Sequence, residues 1–440
     1  WFELFGETAC SIGSILYIID AATNSQVLLN EVPILYLIVS ILFFFYIFYK
    51  SEIILDGLKH EYYKYHYFFF IILFFFSILS FYLKNELNLN IFIAGCVTII
   101  SIYSFEFFFH YKNKSVKVSA YEKKMVGVKD LNNNSNLVPV VYPWMLSNNK
   151  NLTIHPVAGI SNNKTRFCDE SGSLIYYFSD RYGFNNLDSK WDKRIDHMTI
   201  GDSFTHGACV NTDETIASQL QKYKKENTIN LGIGGTGPLT QHITIKEYID
   251  LINPKTVIWI YYEENDILDF LTEKTTPLLN NYLLDENFLQ NLPKKQNKIN
   301  ILLRQTYLNN IKKISKKPEW LPLKDFIKLT KTRNLIFSLT PGNSFTYSLP
   351  QDFKKVLLLT KKILNKKNIK LYFVYLPEKN RFKSIDKKDK DFNKKENNFR
   401  NYNKVLNLVK KNNIDLINLN KILFRRLENP IKLYNPEGMH

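Results

Sequence analysis

The chain has 440 residues, 45% hydrophobic and 15% aromatic, which supplies ample core material and excludes intrinsic disorder. Its formal net charge of +17 comes from lysines scattered in small groups, such as Lys361-Lys362 and Lys394-Lys395. No recognition motif accompanies that charge, so it reads as a solvated surface, and nucleic acid is excluded as a partner.

The chain starts at Trp1 rather than Met and stops at His440 inside a motif, so both ends read as cut from a slightly longer protein. Apolar runs over 34–49, 67–83 and 91–109 approach the length of about 20 residues that a bilayer span requires. They show almost none of the polar 3.6-residue period of a soluble helix, and aromatic residues crowd their ends. Residues 1–111 are therefore expected to form a transmembrane region, with 8–19 as a shorter, partial or re-entrant segment. Glu106, close to the end of the third run, can reach the interface at modest cost. If the last two runs form a hairpin, Lys50, Lys59 and Lys64 share a side with Lys112, Lys114, Lys117, Lys123 and Lys124. The link 84–90 on the other side carries one lysine, so the positive-inside rule puts the soluble domain in the cytoplasm.

Residues 112–190 read as an irregular lead-in, with Asn-rich turns and prolines at 139, 143 and 156. A strand–helix rhythm then begins. Apolar runs at 195–200, 228–231, 256–262, 370–375 and 414–419 alternate with helical patterns at 214–223, 241–252, 353–365 and 398–411. That alternation predicts an α/β/α sandwich over 191–440, with a parallel sheet of about five strands covered on both faces. The stretch 271–368 is far longer than a typical crossover and is expected to be a helical insertion over the mouth of the site. The cysteines Cys10, Cys96, Cys168 and Cys209 lie far apart with no Cys-x-x-Cys pair. Neither a zinc site nor a disulfide framework is expected, and the redox compartment is left open.

Ligands of such sheets bind at the carboxyl ends of the strands, and three chemically loaded segments fall there. Gly201-Asp202-Ser203 follows the first strand, where a glycine permits a sharp turn and exposes Ser203 beside free amides at a helix start. Alone, the tripeptide reads first as a helix cap, and only the other segments turn it toward a nucleophile. Gly232-Ile233-Gly234-Gly235-Thr236-Gly237 follows the second strand and lets backbone amides approach a substrate. Gly232, Gly234 and Gly237 also fit the dinucleotide spacing, but in a dinucleotide fold the first strand should carry that loop. Asn265 follows the third strand and is either an oxyanion donor or a cap. At the chain end, Glu437 lies three residues before His440, a spacing at which a carboxylate can orient an imidazole.

Taken together these segments resemble the SGNH (GDSL-type) hydrolase family, over about residues 195–440. The resemblance implies a flavodoxin-like fold with Ser203 as nucleophile, His440 as base and Glu437 as its carboxylate. It implies an oxyanion hole from Ser203, Gly235 and Asn265. Gly235 matches the family's second-block glycine best, with Gly234 and Gly237 as alternatives. Two departures stand out: Glu437 replaces the family's Asp, and Glu263 replaces the Gly before Asn265, adding bulk and charge. The stretch Ser179–Asn186 is similar to a lead-in of membrane-linked bacterial relatives and reads as a structural turn. His206 is a lesser rival for the base, because a neighbour on the same helix seldom reaches the nucleophile in line.

The implied protein is a serine esterase of the bacterial inner membrane acting on O-acetyl or other O-acyl groups, without cofactor or metal. Its expected partners are an acylated substrate, carbohydrate or lipid-linked, and the bilayer. Family resemblance also allows a periplasmic domain. The alternatives are an O-acyltransferase acting on a cell-surface glycan, and a catalytically silent binding domain.

Overall fold

The computed structural model describes residues 26–54, 57, 60–112, 137–146, 152–168, 174–315, 323–339, 348–384, 395 and 399–434. The segment 8–19 lies outside these residues, as do Glu437 and His440. The chain divides into two units, one of residues 1–115 with 319–340, the other of residues 116–318 with 341–440.

In the first unit the apolar runs form α1 (Gln26–Phe48), α2 (His60–Ser80) and α3 (Asn85–Lys112). All three are long and apolar enough to cross a membrane. The 23 residues of α1 extend about 35 Å at 1.5 Å per residue, against roughly 30 Å of hydrocarbon. Leu42, Phe45, Phe68, Phe75 and Ile99 are exposed, as side chains facing lipid would be. Two polar contacts lie within the unit: Asn88 Nδ2 donates to Ser80 O at 2.8 Å, and Tyr36 Oη to Asn88 O at 3.1 Å. Most of the anticipated link 84–90 is already helix, because α3 starts at Asn85.

Glu106 has a use that its sequence position concealed. Fully buried, it accepts from the backbone N–H groups of Lys331 at 2.9 Å and Thr332 at 2.7 Å, and from Thr332 Oγ1 at 2.8 Å. A carboxylate of α3 thus caps the helix Thr330–Leu339, whose first-turn amides have no partner within the helix. The middle of the 271–368 insertion therefore packs within the apolar unit, whereas Gln351–Lys366 serves the second unit as an ordinary crossover helix.

The second unit is built on five parallel strands, β4 (His197–Gly201), β5 (Thr228–Asn230), β6 (Thr256–Tyr262), β7 (Lys370–Leu376) and β8 (Asp415–Asn418), in the order β5-β4-β6-β7-β8. The expected α/β sandwich with its parallel five-strand sheet is present. Strand β6 shows why both faces are covered. Trp259 and Tyr261 point to one face, where Trp259 donates to Gln241 of α5 (Pro238–Ile252) and Tyr261 meets Phe353 of α7 (Gln351–Lys366). Ile260 and Tyr262, alternate residues, enter a cluster with Val374, Leu376, Phe424 and Tyr434 on the other face. The chain leaves β4 for β5 and returns to β6 on β4's other side, so the direction of winding reverses at β4.

The stretch read as irregular also carries structure. Leu137–Pro139 (β1), Lys164–Cys168 (β2) and Ile175–Phe178 (β3) form a small mixed sheet, β1 parallel and β3 antiparallel to β2. Strands of three to five residues are too short to give a periodic signal among turn residues.

Candidate active site

At the reversal point β4 ends in Gly201, and Asp202 starts the short helix α4 (Ser203–His206). A Cβ on Gly201 would lie 2.2 Å from Thr205 Oγ1 and 2.6 Å from Ile260 O, so only glycine fits this turn. Asp202 does cap the helix: its Oδ1 accepts from Phe204 N–H at 3.0 Å. Its other oxygen accepts from Ser203 Oγ at 3.2 Å, so cap and candidate nucleophile share one carboxylate. Asp202 is buried and Ser203 only partly so, and the Ser203 N–H carries no hydrogen bond among the described residues.

The glycine loop presses directly onto this helix. Ile233 N–H donates to Gly201 O at 3.2 Å, a Cβ on Gly232 would strike Thr205 and His206, and one on Gly234 would sit 3.5 Å from Ser203 Cβ. On its outer side the loop is faced by Tyr142 and Trp144; a Gly235 Cβ would lie 2.4 Å from Trp144 Cδ1, and Gly235 has a φ of 69°. The amides separate the glycines. Gly232 N–H donates to Asn230 Oδ1, Gly234 N–H to His206 Nδ1, and Gly237 N–H to Glu273 Oε1. Gly235 alone of these keeps its N–H uncommitted among the described residues.

The dinucleotide reading fails on the same bonds. At the start of α5, where a phosphate would sit, the Glu273 carboxylate accepts from Gly237, Leu239 and Thr240 N–H.

The third segment lies beside the first because Gly201 of β4 registers with Ile260 of β6, and Phe204 packs on Tyr262 with ring centroids 4.5 Å apart. Asn265 occupies the N-cap position of α6 (Asp266–Glu273). Its Nδ2 donates to Asp269 Oδ2 at 2.9 Å, leaving one amide hydrogen for another acceptor. Carboxyl groups crowd behind it. Burial first, then Asp202 and Asp269, raises Asp266 well above the carboxylate range; burial, then Glu273 and Asp202, pushes Asp269 up to about 8. Burial likewise raises Glu273 to about 7, against the pull of the helix amides that it accepts.

Glu263, the residue that departs from the family pattern, turns away from Asn265. It is buried against Arg381, whose Nε donates to it at 2.8 Å; Tyr375 Oη donates at 2.6 Å and Glu378 N–H at 3.0 Å. Arg400 in turn pairs with Glu378 at 2.8 Å, and the Arg381 guanidinium lies 4.5 Å from the Tyr402 ring centre. The extra carboxylate thus locks the end of β6 to the segment after β7.

Tyr434 donates to Pro377 O at 2.7 Å and belongs to the cluster on which Phe204 packs. The chain is thereby held at the carboxyl ends of the strands six positions before His440.

No protein-family model matches the chain, and no curated protein matches it either. Among solved structures it is similar to one described as a lipolytic protein of the G-D-S-L family from Desulfitobacterium hafniense DCB-2, at 13% identity and a TM-score of 0.25, over 52% of this chain and 79% of that one. It is also similar to a mutant of the esterase AlinE4, at 12% identity and a TM-score of 0.26, over 56% of this chain and 86% of that one.

Three supports of the site have roles that the sequence did not assign. The first is the Ser179–Asn186 turn, which is wound around Asp180. That buried carboxylate accepts from Tyr182 and Phe184 N–H, Asn186 Nδ2 and Trp191 Nε1, all at 2.8–2.9 Å. Asn186 then brackets the backbone of Asn230, donating to its O and accepting from its N–H, both at 2.8 Å. Its neighbour Asn185 donates to His206 O at 3.0 Å. One turn therefore holds both the end of α4 and the root of the glycine loop. The spacing of Asp and Asn residues in that turn was the available signal.

The second is a disulfide between Cys168 and Cys209, with Cα atoms 5.1 Å apart, which corrects the expectation that the cysteines would not pair. Their 41-residue separation hid it; β2 and the loop after α4 meet only in the tertiary fold. The third is His206. It is fully buried, and its Nδ1 already accepts from Gly234 N–H at 3.2 Å. That excludes it as the rival base.

Proposed function

We propose that this chain is a membrane-anchored serine hydrolase of ester bonds, with Ser203 as nucleophile. The observation that carries the reading is the pair of uncommitted amides, Ser203 and Gly235, on two segments packed against each other at the point where the sheet's winding reverses. The Asn265 amide is the third oxyanion donor, oriented by Asp269. Ser203 Oγ attacks the ester carbonyl and passes its proton to His440, which Glu437 orients. The tetrahedral oxyanion is held by the three donors until the alcohol leaves, and water releases the acyl group by the reverse path. Tyr434 is anchored on Pro377 O. Glu263, turned away from Asn265, removes the main argument for a silent domain.

A small cavity of about 20 Å³, room for about one water, adjoins Gly235 and is lined also by Trp144, Thr236, Asp269, Thr272 and Leu279, but not by Ser203. The Cys168–Cys209 bond supports a domain facing an oxidising, extracytoplasmic compartment, against the lysine count. The test is turnover of nitrophenyl esters of graded chain length by the full chain in detergent. Acetyl ester hydrolysis that disappears in Ser203→Ala is the expected result; activity retained by that variant defeats the assignment.

A further inference from the structure

His206 stands where the small sheet, the nucleophile helix and the glycine loop meet. Its ring centroid lies 4.3 Å from that of Phe167 on β2 and 5.3 Å from that of Tyr177 on β3, with Tyr142 edge-on at 6.5 Å. A backbone N–H can only donate, so the Nδ1 that receives Gly234 N–H carries a lone pair. The imidazole is then neutral with its proton on Nε2, which lies 3.3 Å from Tyr177 Oη. The backbone on either side is fixed too: His206 N–H donates to Asp202 O at 2.9 Å, and His206 O accepts from Asn185 Nδ2. The Cys168–Cys209 bond ties β2 to the loop that follows.

What the ring does follows from the amide that it takes. Gly234 and Gly235 are consecutive, and only the two soft dihedrals of Gly234 separate their peptide planes, so pinning the Gly234 N–H limits the directions open to the next N–H. We propose that His206 is a positioning residue: by accepting Gly234 N–H it turns the loop so that Gly235 N–H faces the carbonyl attacked by Ser203. The small sheet, through Phe167 and Tyr177, is what holds that imidazole in place. This rests on the reading of Ser203 and Gly235 as nucleophile and oxyanion donor. It assigns to the residues before β4 a part in the chemistry, without contact to the substrate.

The test compares nitrophenyl acetate turnover by the full chain in detergent for wild type, Ser203→Ala, His206→Leu and His206→Asn, with thermal unfolding of each. Leucine fills the site but accepts no hydrogen bond; the asparagine Oδ1 stands close to where Nδ1 stood. His206→Leu is expected to lower kcat about 100-fold, the scale of a misplaced or lost oxyanion donor, with KM changed less than about threefold. His206→Asn should recover about 10-fold or more of that loss, which a merely space-filling role would not produce. If folded His206→Leu keeps wild-type kcat, or if folded Leu and Asn variants lose kcat equally, the proposal is overturned while the Ser203 reading stands. If His206→Leu does not fold, the Asn variant decides: a kcat within 10-fold of wild type supports the proposal, and a greater loss in the folded protein overturns it. Absent wild-type turnover, or turnover that persists in Ser203→Ala, removes the parent reading and this proposal with it.

Discussion

Replacing Arg381 by methionine isolates what the unexpected Glu263 contributes. The Glu263 carboxylate is 3% exposed, and the guanidinium that faces it is equally enclosed. Methionine keeps much of the side-chain volume but leaves the carboxylate, among the described residues, with Tyr375 Oη and Glu378 N–H as donors. Breaking a buried pair by removing one partner costs about 3–5 kcal/mol, because the remaining charge is stranded out of water. At roughly 2–4 °C per kcal/mol for a domain of this size, the melting temperature should fall by about 10 °C. The double variant Arg381→Met/Glu263→Gln removes the stranded charge, keeps one acceptor oxygen for Glu378 N–H and offers an amide N–H to Tyr375 Oη, which can accept it, so it should regain about 2 kcal/mol or more. The assay is thermal unfolding of the purified full chain in detergent, followed by tryptophan fluorescence, with the pairwise term taken from the double-mutant cycle. Loss of less than 1 kcal/mol in Arg381→Met, or no recovery in the double variant, would refute the account of Glu263 as a charge whose burial depends on its partner.

Two further outcomes are expected. Asp269, up at about 8, and Glu273, at about 7, keep protons in the folded state that the unfolded chain releases near pH 4. The folded state therefore binds more protons, and stability must fall as pH rises through 7 to 8; the buried His155 and His242, pushed down to about 4 and about 3, stay neutral in both states above pH 7 and drop out. Asp269→Asn should flatten the fall in unfolding free energy between pH 7 and 8 by up to about 1 kcal/mol per pH unit, and an unchanged slope would contradict this. Reduction of the Cys168–Cys209 bond, which closes a loop of 41 residues, should cost about 4 kcal/mol on the loop-entropy scale, read as a lower denaturant midpoint in dithiothreitol. Cys168→Ser should show no further loss on reduction.

The local chemistry and its order along the chain were legible in the sequence. The apolar runs, the strand–helix rhythm and the placement of Gly201-Asp202-Ser203, the glycine loop and Asn265 after strands follow from periodicity and from glycine's backbone freedom, both properties of neighbouring residues. Whatever depended on residues distant in sequence required the fold. Which glycine keeps a free N–H turns on His206 and on Glu273, residues 28 and 36 positions from the amides they accept. That Glu263 spares Asn265 depends on Arg381, 118 residues on. The pairing of Cys168 with Cys209 depends on a small sheet whose strands are too short to register as a pattern. Periodicity reports which face of an element is buried; it does not report which partner waits there. The candidate Ser203 could thus be picked out from its tripeptide taken together with the segments after the neighbouring strands, while the groups that hold the amides around it were decided only by packing.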